Sequence, residues 1–96
     1  MAAHILVDLN VTDREKFKAY ANGVQATVKE YGGRYNCKWG YPQTLEGEWQ
    51  AHRIVMIEFP TVEQARQWWD SEKYRPLKEL RREGSSARII LVDVPD

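Results

Sequence analysis

Cysteine is nearly missing from this chain of 96 residues: Cys37 stands alone. One thiol closes no intramolecular disulfide, whereas a secreted domain this small would often carry several, so the cytoplasm is the expected compartment. Net charge is missing as well, because 14 Lys and Arg balance 14 Asp and Glu. A nucleic-acid partner would call for a basic face that shows in the total, and no run of like charges marks an interaction tail. Long hydrophobic runs are absent: no segment approaches the ~20 apolar residues that span a bilayer. Met1 to Val11 lacks a basic start followed by a long apolar stretch, so neither a signal peptide nor a membrane partner is expected. There is no Gly-rich phosphate loop, nucleophile elbow or zinc-ligand spacing, and no repeat, linker or low-complexity segment. The expectation is one domain over 1–96, with a core small enough that oligomerisation would add useful burial.

What is abundant is aromatic: four tryptophans and five tyrosines. The chain also alternates clearly between two periodicities. From His4 to Val11, Ile5, Val7, Leu9 and Val11 share one strand face, with His4, Leu6, Asp8 and Asn10 on the other. Thr12 and Glu15 have capping-box spacing, and Phe17, Tyr20, Ala21, Val24, Val28 and Tyr31 then form a helical stripe ended by Gly32-Gly33. Arg34 to Tyr41 alternates again, placing Tyr35, Cys37, Trp39 and Tyr41 together. Gln43 to His52 reads as a loop, and Arg53 to Phe59 as a strand apolar on both faces. Thr61 and Gln64 cap a second helix whose inward stripe is Val62, Ala65 and Trp69. Ser71 can cap a further turn, and Pro76 demands a kink or restart near Arg75. Gly84-Ser85-Ser86 reads as a turn before a last strand, Ala87 to Val94.

The order strand, helix, strand, strand, helix in two pieces, strand, with right-handed crossovers, gives an α+β ferredoxin-like βαββαβ fold. Its four-stranded antiparallel sheet carries the helices on one face. Three of the strands are apolar on both faces, notably at Leu6, Ile54, Met56 and Ile89 to Val92. The uncovered face therefore needs a partner, and a second copy forming a homodimer is the economical one. The alternative cover is the Gln43–His52 loop with the C-terminal tail.

A set of residues carries a resemblance. Val11-Thr12-Asp13 leads to Phe17 and Tyr20, and Tyr31-Gly32-Gly33-Arg34 follows. Then come Glu46-Gly47, Arg53, Ile57-Glu58-Phe59-Pro60, Ala65, Trp69, Ser71, Tyr74 and Arg81. In this order they resemble domain-of-unknown-function family 1330, within the dimeric α/β-barrel superfamily. The resemblance implies two ferredoxin-like sheets closing a barrel across a dimer, and assigns no reaction. That superfamily includes cofactor-free monooxygenases, lactone isomerases and haem enzymes, so fold alone decides no chemistry. Phe17 stands where the family often has tyrosine, and the ending Val92-Asp93-Val94-Pro95-Asp96 lacks an expected glycine.

Arg81 is the leading ligand-binding candidate, because it shares the inward stripe of Tyr74 and Leu77 while Arg75, Lys78 and Arg82 point elsewhere. A guanidinium there needs a carboxylate, a carbonyl cluster or an anionic ligand; the plainer role is to bond the last carbonyls of its own helix. Arg53 and Glu58 fall on opposite faces of the third strand. Glu58, beside Ile54 and Met56, is a catalytic candidate if its pKa is raised, or otherwise half of a structural ion pair. Asp8 poses the same choice, its alternative being a solvated position at the strand end. Tyr20, Tyr35, Trp39, Trp69 and Tyr74 can line an apolar pocket or simply fill the core. Trp68, adjacent to Trp69, is expected at an interface or a rim, as is Trp49. His4 and His52 precede the first and third strands, taken here as parallel neighbours, but two histidines without a third ligand make no metal site. Cys37 reads as a packing residue.

Two functions of different class follow. In one, a cleft between sheet and helices binds or converts a small organic acid or ring compound without a bound cofactor. Arg81 or Arg53 holds the anion there, and Glu58 or Asp8 moves a proton. In the other, the chain is a non-catalytic dimeric interaction domain. An inward arginine already paired with a protein carboxylate would favour the second; an unpaired one facing a cavity favours the first.

Overall fold

The computed structural model describes residues 2–95; Met1 and Asp96, the two ends of the expected domain, lie outside the described residues. The elements are β1 (Ala2–Val11), α1 (Arg14–Glu30), β2 (Arg34–Gly40), β3 (Arg53–Phe59), α2 (Val62–Trp69), α3 (Arg75–Gly84) and β4 (Ser85–Val94). The sheet order is β2-β3-β1-β4 and every neighbouring pair is antiparallel. This is the ferredoxin-like α+β arrangement read from the sequence. None of the helices of the described residues is long and apolar enough to cross a membrane.

The expected parallel pairing of β1 with β3 is corrected. A right-handed crossover makes β2 run with β1, and β3 then turns back on β2, so β3 must oppose β1. His4 consequently lies opposite Glu58, while His52 adjoins Arg53, which pairs with Leu9 at the other end of the ladder. The two histidines are not brought together.

Alternation decides the layers. Ala3, Ile5, Val7 and Leu9 of β1 and Ile57 and Phe59 of β3 are buried under the helices, joined by Val24, Val28, Ala65, Trp68 and Tyr74. Residues of the opposite parity form an open face whose rows follow from the register. Cys37, Met56, Leu6 and Ile90 make one row, and Arg34, Glu58, His4 and Val92 the next. Ile90 is 56% exposed, and Val92 and Val94 are exposed beside it. The loop 41–52 does not cover this row; it closes on Asp8, at one end of the face.

Four local expectations are revised. Asp13, not Thr12, caps α1, accepting from the amides of Glu15 and Lys16. Thr12 and Asp13 instead donate their own amides to the Gly84 carbonyl at 2.9 and 3.0 Å. Gly84 is not a turn residue: it ends α3, and β4 starts at Ser85. A Cβ on Gly84 would stand 2.7 Å from the Phe17 nitrogen, so the glycine lets α3 press onto α1. The register of β2 shifts around Cys37, which pairs with Met56 and so joins the open face while Tyr35 stays opposite Ile57. Simple alternation had put Cys37 beside Tyr35 and Trp39. Finally, Trp68 is 1% exposed and belongs to the core, with Trp69 at its edge. The Trp68 indole can afford burial because it donates to Thr27 Oγ1 at 3.0 Å. The restart at Pro76 and the Thr61 cap of α2 are as expected.

Candidate functional site

A cavity of about 120 Å³ lies between the covered sheet face and the helices. Its floor is Ile5, Val7, Val55 and Ile57. Phe17, Tyr20 and Val24 of α1 form one wall, and Trp69, Tyr74 and Arg81 the other. Tyr20, Trp39, Trp69, Tyr74 and Arg81, separated widely in sequence, thus line one space. The helix stripes explain this: Phe17, Tyr20 and Val24 recur at three- and four-residue steps on α1, while Tyr74, the N-cap of α3, precedes Arg81 by seven residues, about two turns, on the same side.

The polar groups converge at one place. Arg81 is 6% exposed, yet its side chain is within ion-pair distance of no carboxylate among the described residues. Its Nε donates to Tyr74 Oη at 3.4 Å, and Tyr74 Oη lies 3.4 Å from Tyr20 Oη. Both are long contacts that a ligand oxygen can compete with. The guanidinium also sits 5.7 Å from the Trp69 ring. Among the described residues its side chain bonds Tyr74 and no carbonyl of its own helix, where the Arg81 carbonyl accepts from the Ser85 hydroxyl. A second, open groove against Ser85, Ala87 and Ile89 is lined by the same arginine, so Arg81 borders both spaces.

Burial, and then the neighbouring Tyr74 hydroxyl, drives the Tyr20 pKa far above the phenol range. Burial followed by Tyr74 pushes Tyr35 up to about 12. Both phenols therefore stay protonated near neutrality and serve as donors, not bases.

The catalytic candidates Glu58 and Asp8 are not in this cavity. Both have the parity of the open face, on the opposite side of the sheet from Arg81. Glu58 accepts from Arg34 and Asn36, both at 3.2 Å, and these bonds, Arg34 first, hold its pKa below the usual carboxylate range. The raised pKa that a general base would need is thus reversed, and Glu58 is half of an ion pair within its own chain. Asp8 is not a solvated strand end either. It accepts from the Trp49 indole at 2.9 Å and from the His52 amide at 2.9 Å, tying the 41–52 loop to β1. Burial raises the Asp8 pKa, but these bonds and the nearby His52 and Arg88 outweigh it, leaving it lowered.

Arg53 lies beyond the cavity, in a neighbouring cleft, with its guanidinium 3.5 Å from the Tyr41 ring and 5.2 Å from Trp39. Tyr35 lines the cavity as expected, whereas two polar lining residues, Gln25 and Lys38, linked at 3.4 Å, are not singled out by the sequence. The β2 register shift that turns Lys38 toward α1 leaves no composition signal. Among the described residues no group of three or more His, Cys, Asp or Glu gathers as a metal site.

Comparison with known proteins places this geometry. No curated protein matches the sequence. Among solved structures, the RPA0582 protein of unknown function from Rhodopseudomonas palustris is similar with a TM-score of 0.78 at 17% identity, covering 99% of this chain and 83% of that one. SnoaB, a cofactor-independent oxygenase from Streptomyces nogalater, gives 0.66 at 12% identity over 99% and 94%. A conserved protein of unknown function from Bacteroides thetaiotaomicron, described as a possible oxidoreductase, gives 0.65 at 11% over 97% and 97%. Likeness at these identities establishes the fold. The family profile for the domain of unknown function DUF1330 matches residues 2–95, and the chain belongs to that family.

Proposed function

We propose that the cleft binds a small single-ring organic acid, its acid group on Arg81 and its ring between Tyr20, Trp69 and Tyr74. The observation carrying this reading is the buried guanidinium at the edge of an aromatic cavity, with no carboxylate of the described residues beside it. A desolvated charge without a partner is costly, and an anionic ligand offsets that cost. The volume sets the size: a dry apolar cavity of roughly 150 Å³ takes up benzene, so about 120 Å³ suits one ring at most.

The chemistry of such a site is that of fixed donors. Arg81 and the hydroxyls of Tyr20 and Tyr74 stabilise negative charge on a bound molecule, and among the described residues no carboxylate lines the cavity. A reaction here would draw on an anion formed by the substrate itself, without a resident cofactor. The fold it shares with a cofactor-independent oxygenase is in keeping with that reading.

A separate observation favours self-association: the exposed apolar row of Ile90 and Val92 beside Leu6 and Met56. The open sheet face takes a second copy of the chain, so the binding module works as a homodimer. The lone thiol fits a reducing compartment such as the cytoplasm.

Titration calorimetry with benzoate tests the cleft. Binding to the unaltered protein should weaken at least tenfold in Arg81→Gln and stay unchanged in Arg82→Gln. Absence of binding at millimolar benzoate, or indifference to Arg81→Gln, would remove the proposal.

A further inference from the structure

The cleft containing Arg53 is a feature that the single-anion reading leaves unused. It opens where β3 begins beside the start of α1, has a volume of about 550 Å³, and adjoins the inner cavity through Phe17 and Trp39, which line both. The two rings are 5.8 Å apart. Arg14, Lys18, His52 and Arg53 line the outer cleft, and among the described residues no carboxylate does. His52 is turned to Asp8, at 3.9 Å, but Arg14, Lys18 and Arg53 have no ion-pair partner among the described residues.

Solvated surface cations need no explanation; Arg53 does. Its guanidinium is held against the Tyr41 face, with Trp39 nearby, and its Nη1 is shut from solvent without any hydrogen-bond partner. An orphaned guanidinium nitrogen costs free energy that an acceptor recovers, more so when the acceptor is charged. Arg53 pairs with Leu9, and Leu9 with Ala87, which borders the groove of Arg81. Arg53 and Ala87 therefore stand on opposite sides of β1, two strand spacings or ~10 Å apart at the backbone, with Arg81 of α3 on the Ala87 side.

We infer that Arg53, with Arg14 and Lys18, forms a second anion subsite, and that the ligand class is a ring compound with acid groups at opposite ends. This rests on the cleft reading above: one acid on Arg81, the ring between Tyr20, Trp69 and Tyr74, and the second acid reaching past the Phe17–Trp39 pair to Arg53. Arg53 is a binding residue in this scheme; it takes part in no bond making or breaking.

The test compares benzoate with terephthalate, its para-dicarboxylate, by calorimetry at low salt. Terephthalate should bind about tenfold tighter to the unaltered protein, and the advantage should shrink as salt screens the outer cleft. Arg53→Gln should abolish the advantage and leave benzoate binding unchanged. Arg14→Gln with Lys18→Gln, at exposed positions that folding does not depend on, should reduce it severalfold. Equal affinity for the two probes, or an advantage that survives these variants, overturns the second subsite while benzoate binding keeps the first. If neither probe binds, the cleft reading falls and takes this one with it.

Discussion

Replacing Arg81 by methionine asks whether this arginine is kept for stability or for a ligand. The thioether chain preserves most of the packing of the arginine stem against Tyr74 and Trp69. What is lost inside the protein is one hydrogen bond, the 3.4 Å contact from Nε to Tyr74, which at that length contributes at most about 0.5–1 kcal/mol. What is relieved is the desolvation of a charge that is 6% exposed and has no carboxylate partner among the described residues. Exchanging buried charges for apolar side chains of similar volume is commonly neutral or stabilising by ~1–4 kcal/mol. The low end applies here, because Arg81 also borders the open groove. Urea melts should show Arg81→Met equal to the unaltered protein or more stable by about 1 kcal/mol, with Tm raised by several degrees and benzoate binding lost. Arg82→Met removes only an exposed pair with Glu79 and should change stability by less than ~0.5 kcal/mol. A loss of ~3 kcal/mol or more in Arg81→Met, as expected for breaking a buried ion pair, would show that Arg81 is a structural residue.

Gly84→Ala should destabilise by more than ~2 kcal/mol in the same melts, because its Cβ meets the Phe17 and Asp13 backbone and α3 must lift from α1; a change below ~0.5 kcal/mol would refute that close approach. Burial raises the folded-state pKa of Tyr20 and Tyr35 above the ordinary 10.0, so their contribution is intact below pH 10 and is lost as pH rises beyond it. Each should lower stability by up to about 1.4 kcal/mol per pH unit there. Spectrophotometric titration should find Tyr35 ionising near pH 12 in the folded protein, and all phenols titrating together near pH 10 would contradict the buried cleft. Met56→Lys puts a charge in the centre of the open face and should lower the solution mass from dimer to monomer or unfold the chain. A well-folded variant of unchanged mass by light scattering would argue against sheet-on-sheet pairing.

The periodicities of this sequence determined its layers. Period-two alternation in 4–11 and apolar residues on both sides of 53–59 require a sheet with a second face to cover. The stripe from Phe17 to Tyr31 requires a helix lying on the first. Handedness then sets the strand order, and Pro76 sets the break between α2 and α3. The aromatic cleft was legible to the same extent, since Tyr20, Tyr74 and Arg81 are stripe positions whose inward direction follows from 3.6 residues per turn.

Tertiary structure alone decided what each polar group meets. Glu58 and Asp8 carry the residue type of a base, but Arg34, Asn36, Trp49 and the His52 amide claim them, and these partners come from distant segments. Trp68 and Trp69 are one residue apart on a helix, and which of them enters the core depends on Thr27 offering an acceptor to only one. The register shift around Cys37 and the approach at Gly84 likewise depend on backbone pairing between segments that no local pattern encodes. Alternation and helical period fix which face a residue takes, because they follow from local backbone geometry. Whether a charge on that face is paired or free depends on residues brought together only when the chain closes.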